Sequence, residues 1–170
     1  MADDHENEDA LRAVANRYYE TACQNLTNDG HLEFATIVRK EGREMAIILF
    51  NDDGTLVENK DDIEDYMRSL APDCTWIAQI AEVYVLTGVY NTALVVSEHR
   101  DRAEAIFVTV QSRQGTYLIT SVFERDEQGD PLTPTIQTEQ FLSYGDSDLL
   151  LSGRMSNYYN DSFLPNETVR

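Results

Sequence analysis

The sequence predicts an α+β domain, built as a mostly antiparallel sheet with two or three packed helices. Three observations carry that prediction. Helical periodicity is confined to two early stretches, strand-like segments fill the middle of the chain, and turn chemistry of the hairpin kind separates several of them. The order of helix, hairpin, helix and then a run of strands lacks the regular alternation of a parallel βαβ sheet.

Residues 9–26 read as the first helix. Leu11, Val14, Ala15, Tyr18, Ala22 and Leu26 recur at three- and four-residue steps and so share one face. Acidic residues crowd its start, where the helix dipole favours them, and Asn28-Asp29-Gly30 supplies the stop. Residues 34–38 and 45–50 are apolar runs suited to a sheet, joined by Lys40-Glu41-Gly42-Arg43 as a hairpin turn. Asn51-Asp52-Asp53-Gly54 closes the second of them. A second helix is expected over 61–70, with Ile63, Tyr66, Met67 and Leu70 on one face and Asp61 or Asp62 as its cap. Pro72 ends it, because the residue before a proline is pushed out of helical geometry.

Strands are then expected over 75–86, 92–96, 105–111 and 116–124, with a hairpin turn at Ser112-Arg113-Gln114-Gly115. Ile106, Val108 and Val110 share a face opposite Phe107 and Thr109, so part of the sheet should be covered on both sides. After Pro131 the pattern weakens: 140–144 suggests a short edge element and 148–159 a short amphipathic helix. Residues 1–143 are accordingly read as a single α+β domain, and 144–170 as a C-terminal segment with a short helix and a frayed end.

Charge is the most unusual property. Asp and Glu number 31 against 13 Lys and Arg, a formal net charge of −18. Such a field repels phosphate backbones and anionic membranes and attracts basic surfaces. Direct nucleic-acid binding is therefore disfavoured, and a basic protein is the partner that the charge suits. Adaptation to high salt, where repulsion is screened within about 3 Å at 1 M, explains the same composition. Both explanations stand at this level. No apolar run approaches the ~18 residues of a membrane span, and the opening residues are acidic, so a cytoplasmic location without membrane attachment is expected. Cys23 and Cys74 form no paired motif and read as free thiols.

Ala81-Glu82-Val83-Tyr84-Val85, the polar run from Val96 to Ala105 and the closing Glu124-Arg125-Asp126 carry a resemblance. Together with the upstream hairpin and Asn51-Asp52-Asp53-Gly54, they resemble a family of uncharacterised small α+β proteins of bacterial and phage type. That resemblance implies a compact domain and carries no activity.

The densest polar cluster between apolar strands is Ser97-Glu98-His99-Arg100-Asp101-Arg102-Ala103-Glu104. Glu98 and His99 could share a proton near neutrality, and Arg100 or Arg102 could grip a carboxylate or phosphate. With Asp101 and Glu104, these residues form the candidate binding site. The bland alternative is a solvated loop whose opposite charges offset one another. The acidic stretches at 51–53 and 58–65 fail the spacing of a calcium loop and fit a turn and a capped helix better. No phosphate-binding glycine loop, zinc-protease helix or serine-nucleophile elbow occurs, so no catalytic residue, metal site or cofactor is assigned. The leading expectation is thus a non-enzymatic acidic binding or regulatory protein engaging another macromolecule. Its rivals are a small hydrolase or transferase centred on residues 97–104, and a homo-oligomer joined through its C-terminal segment.

Overall fold

A computed structural model describes residues 3–86 and 102–143. Helix α1, Asp3–Asp29, runs longer at both ends than its periodicity suggests. It stops where Gly30 takes a positive φ of 77° and its N–H donates to the Leu26 carbonyl at 2.9 Å. Strands β1 (Ala35–Lys40) and β2 (Arg43–Ala46) follow as a tight hairpin. Its turn places Glu41 and Gly42 at φ 51° and 75°, the left-handed pair that matches strand twist.

Helix α2, Lys60–Leu70, is capped by Asn59, whose side chain accepts from the Asp61 N–H at 2.9 Å. Neither Asp61 nor Asp62 is the cap; both lie in the first turn, where the dipole favours them. Against expectation, Ala71 keeps helical geometry before Pro72, at φ −52° and ψ −41°; Ala71–Asp73 continues as a single 3₁₀ turn, and the chain then enters β3 (Trp76–Leu86). Strands β4 (Arg102–Gln111), β5 (Gly115–Phe123) and β6 (Thr135–Ser143) complete the described set. The six strands form one sheet in the order β2-β1-β3-β4-β5-β6, with every neighbouring pair antiparallel. The α+β class and the antiparallel sheet are therefore as the sequence predicts, with two α-helices among the described residues.

One face of the sheet carries α1. Leu11, Ala15, Ala22 and Leu26 pack against Ala78 and Ile80 of β3, Ile106, Val108 and Val110 of β4, and Ile119 of β5. Trp76 closes one end of this layer and meets Tyr18 edge-on, with ring centroids 6.1 Å apart. On the other face, Val38 and Ile77 pack against Met67 of α2 together with Ala71 and Cys74. A polar row shares that second face. Gln111 donates to Gln79 at 3.4 Å, and beside them lie the buried side chains of Thr109 and Thr116.

Three further sequence expectations need correction. The apolar run 45–50 is not one strand, because β2 ends at Ala46; the residues beyond it leave the ladder. The element near 140–144 is a nine-residue edge strand beginning at Thr135. Residues 102–104 belong to β4 rather than to a loop. The expected strand at 92–96 and the helix at 148–159 lie outside the described residues.

Candidate functional site

Of the six candidate residues, Glu98, His99, Arg100 and Asp101 lie outside the described residues, while Arg102 and Glu104 open β4. The Arg102 guanidinium stacks 4.7 Å from the ring centre of Tyr84, its near neighbour across the β3–β4 ladder. Glu104 is held by Arg125, whose Nε donates to both carboxylate oxygens at 3.0 and 3.1 Å. The same guanidinium donates to Glu82 at 3.1 Å and to the carbonyls of Gly30 at 2.7 Å and Gly129 at 3.1 Å. Glu82 in turn accepts from the Leu32 N–H at 3.0 Å.

Arg125 thus joins the end of α1, the β3–β4 pair and the loop after β5 through charge-assisted bonds. The adjacent carboxylates hold its proton more firmly still, with Glu104 the larger influence. A guanidinium saturated in this way and unable to release a proton is a fastener. Glu104 accordingly serves architecture, and the described part of the 97–104 cluster contains no pair poised to exchange a proton.

The other chemistry-bearing side chains among the described residues are two thiols, an imidazole and carboxylates. No group of three or more His, Cys, Asp or Glu side chains is placed to hold a metal ion there. Burial pushes the Cys23 and Cys74 thiols up, away from the reactive thiolate. His31 is exposed beside Glu33 at 3.3 Å.

A different feature is built by the segment between β2 and α2. After Ala46 the chain makes one further bond to β1, from the Ile47 N–H to the Thr36 carbonyl at 2.9 Å. It then folds into a small hairpin of its own. Phe50 pairs with Leu56, the Val57 N–H donates to Leu49, and the Asn51 N–H donates to Thr55. The tip, Asn51-Asp52-Asp53-Gly54, turns through Gly54 at φ 83°. There Asp53 accepts from the Thr55 N–H and hydroxyl at 2.9 and 2.6 Å, and those bonds, the hydroxyl first, hold its carboxyl below the usual range.

Between this hairpin, α2 and the start of β1 lies an open cleft with a cavity volume of ≈ 590 Å³. Thr36 and Met67, both buried, sit at its deep side with the half-buried Phe34, Ile47 and Ile63. Ile48, Phe50 and Leu56 stand on its outer wall at 64%, 61% and 57% exposure, and Met45 on the adjoining strand is 42% exposed. Apolar side chains this open and this close together mark a contact surface more often than a lone exposed leucine does. The charged side chains lining the cleft are Glu33 and Glu58, both acidic. From residue 47 to the end of α2 at 70 there are seven carboxylates, one lysine and one arginine, a formal charge of −5. The arginine, Arg68, is already bound to Glu64 one turn away.

Sequence reasoning missed this cleft. Its signal was present in Ile47-Ile48-Leu49-Phe50 and Leu56-Val57, two arms of a short hairpin that are apolar without the alternation of a half-buried strand. No family model, curated protein or solved structure matches the chain. Among the described residues, no helix is long and apolar enough to cross a membrane.

Proposed function

We propose that this protein is a non-enzymatic, acidic binding protein of the cytoplasm that engages a basic protein partner. The observation that carries this reading is the cleft beside the 48–57 hairpin, where exposed apolar side chains sit within an acidic setting. Apolar contacts there would supply affinity, and the surrounding carboxylates would steer a cationic partner and reject anionic ones. Nucleic acid is a poor occupant, since a net charge of −18 repels its backbone. A hydrolase or transferase centred on Glu98 and His99 is the rival, and both of those residues lie outside the described ones.

The test compares wild-type bait with the Ile48→Asp/Phe50→Asp variant in lysate of the source organism. The expected result is a stoichiometric basic protein that wild type retains, that rising salt releases, and that the variant fails to hold. Equal retention by both baits, or none by folded wild type, removes the reading.

A further inference from the structure

We infer that the docking partner presents an extended segment of alternating apolar and cationic residues, which adds as a further strand along the outer edge of β2 and sends its apolar side chains toward the cleft. This rests on the binding reading above and specifies its chemistry.

The backbone supports strand addition. β2 is an edge strand of the described sheet, and all four of its residues are exposed. The bond from the Ile47 N–H to the Thr36 carbonyl fixes which residues face β1. In an antiparallel ladder the direction alternates, so Arg43, Met45 and Ile47 turn their amides inward while Glu44 and Ala46 turn theirs outward. No described strand pairs with that outer side. Of the devices that commonly blunt an edge, proline, lysine and a bulge are absent from β2, although the strand is short and carries Arg43 beside Glu44. Its one carboxylate is drawn toward α1, where Glu44 accepts from Arg17 at 2.6 Å and Tyr18 at 2.7 Å. It therefore leaves the edge itself open.

The side chains specify the rest. An added strand would lie beside Met45 and run on past Ile47 to the exposed Ile48 and Phe50. Alternation in such a strand sends every second residue to one face, so an apolar series would meet the cleft while the other series faced outward. The chain's net charge of −18 makes that outward series cationic. The same net charge argues against a second copy of the chain, which would set −18 against −18.

The experiment is amide exchange and chemical-shift mapping by NMR on the full-length protein, titrated with peptides of about ten residues. One peptide alternates valine or leucine with lysine. A second carries glutamate in place of lysine, and a third repeats the first with alternate amides N-methylated on the edge facing β2. The lysine peptide should bind and slow exchange at Glu44 and Ala46 on the order of tenfold or more, with Met45 little changed. The glutamate and N-methyl peptides should bind on the order of tenfold more weakly.

Binding of the lysine peptide with shifts at Ile48 and Leu56 but no protection at Glu44 and Ala46 would overturn strand addition and leave the binding reading intact. Equal binding of the glutamate peptide would overturn the charge assignment. A concentration-dependent doubling of mass that protects Glu44 and Ala46 without peptide would make the occupant a second copy. Absence of binding by every peptide would overturn the inference, and the lysate comparison then decides the broader reading separately.

Discussion

The two ends of this sheet treat apolar side chains in opposite ways. Over β3, β4 and β5, the aliphatic side chains on the α1 face are packed into one core with the helix: Ile106, Val108, Val110 and Ile119 are wholly buried. Over β2 and the hairpin that follows, residues of the same chemical kind stand open. Both regions are apolar in sequence, so hydrophobicity alone does not separate structure from surface. The difference is whether the fold supplies a covering element. At one end α1 lies across the strands. At the other, α2 covers Val38 and Ile77 and stops short of Ile48, Phe50 and Leu56. What the fold leaves uncovered there is where the proposed partner would gain most.

If the closed end is structural and the open end is for contact, substitutions should separate them by size of effect. The largest belongs to the α1 layer. Ile106→Ala should cost about 2–5 kcal/mol of unfolding free energy, because a wholly buried side chain leaves a cavity between strand and helix. Chemical denaturation checks this, and a loss below ~1 kcal/mol would mean that the layer is looser than its burial implies.

Arg125→Met comes next. It strands Glu82 and Glu104 without their shared cation and frees the Gly30 carbonyl at the end of α1. All three charged side chains are about a quarter exposed, so the cost should be on the order of 1–3 kcal/mol. Hydrogen exchange should show the opening concentrated at the C-terminal turn of α1 and the 125–131 loop. A uniform loss would count against Arg125 as a local fastener.

A smaller effect lies where α1 meets the edge strands. The Tyr18 hydroxyl is pushed up to about 12, chiefly by burial and then by its bond to Glu44. Its folded pKa thus exceeds the unfolded value of about 10. The contribution to stability is complete below pH ~10 and is lost as pH rises toward 12. Wild type should therefore lose its advantage over Tyr18→Phe across that window, as measured by denaturation at stepped pH. A constant difference between the two would show that the hydroxyl is not held as described.

Much of the closed end was legible in the sequence. Leu11, Ala15, Ala22 and Leu26 keep helical steps because one helix face meets one flat sheet, and β4 alternates because its two faces meet different layers. The open end was harder to read. Residues 45–50 carry no alternation, so nothing local marks Ala46 as the last strand residue or foretells that the chain turns back on itself at Asn51. Strand β6 was underestimated because polar residues such as Thr138, Glu139 and Gln140 break the apolar pattern of a strand; Phe141 packs against the core, and Glu139 accepts from the Tyr117 hydroxyl. The Arg125 fastener joins residues far apart in the chain, and no local pattern encodes such a meeting. Of the polar candidates, Arg102 and Glu104 turn out to be strand residues, engaged respectively with Tyr84 and Arg125.

The central claim is that the hairpin wall serves contact and not stability, and the Ile48→Asp/Phe50→Asp variant tests it most directly. Its affinity for the alternating lysine peptide should be measured by titration calorimetry beside its unfolding midpoint. The account predicts that Kd rises by about tenfold or more while unfolding free energy stays within about 0.5 kcal/mol per substitution. An unchanged Kd, or a loss of stability approaching that of Ile106→Ala, would contradict it.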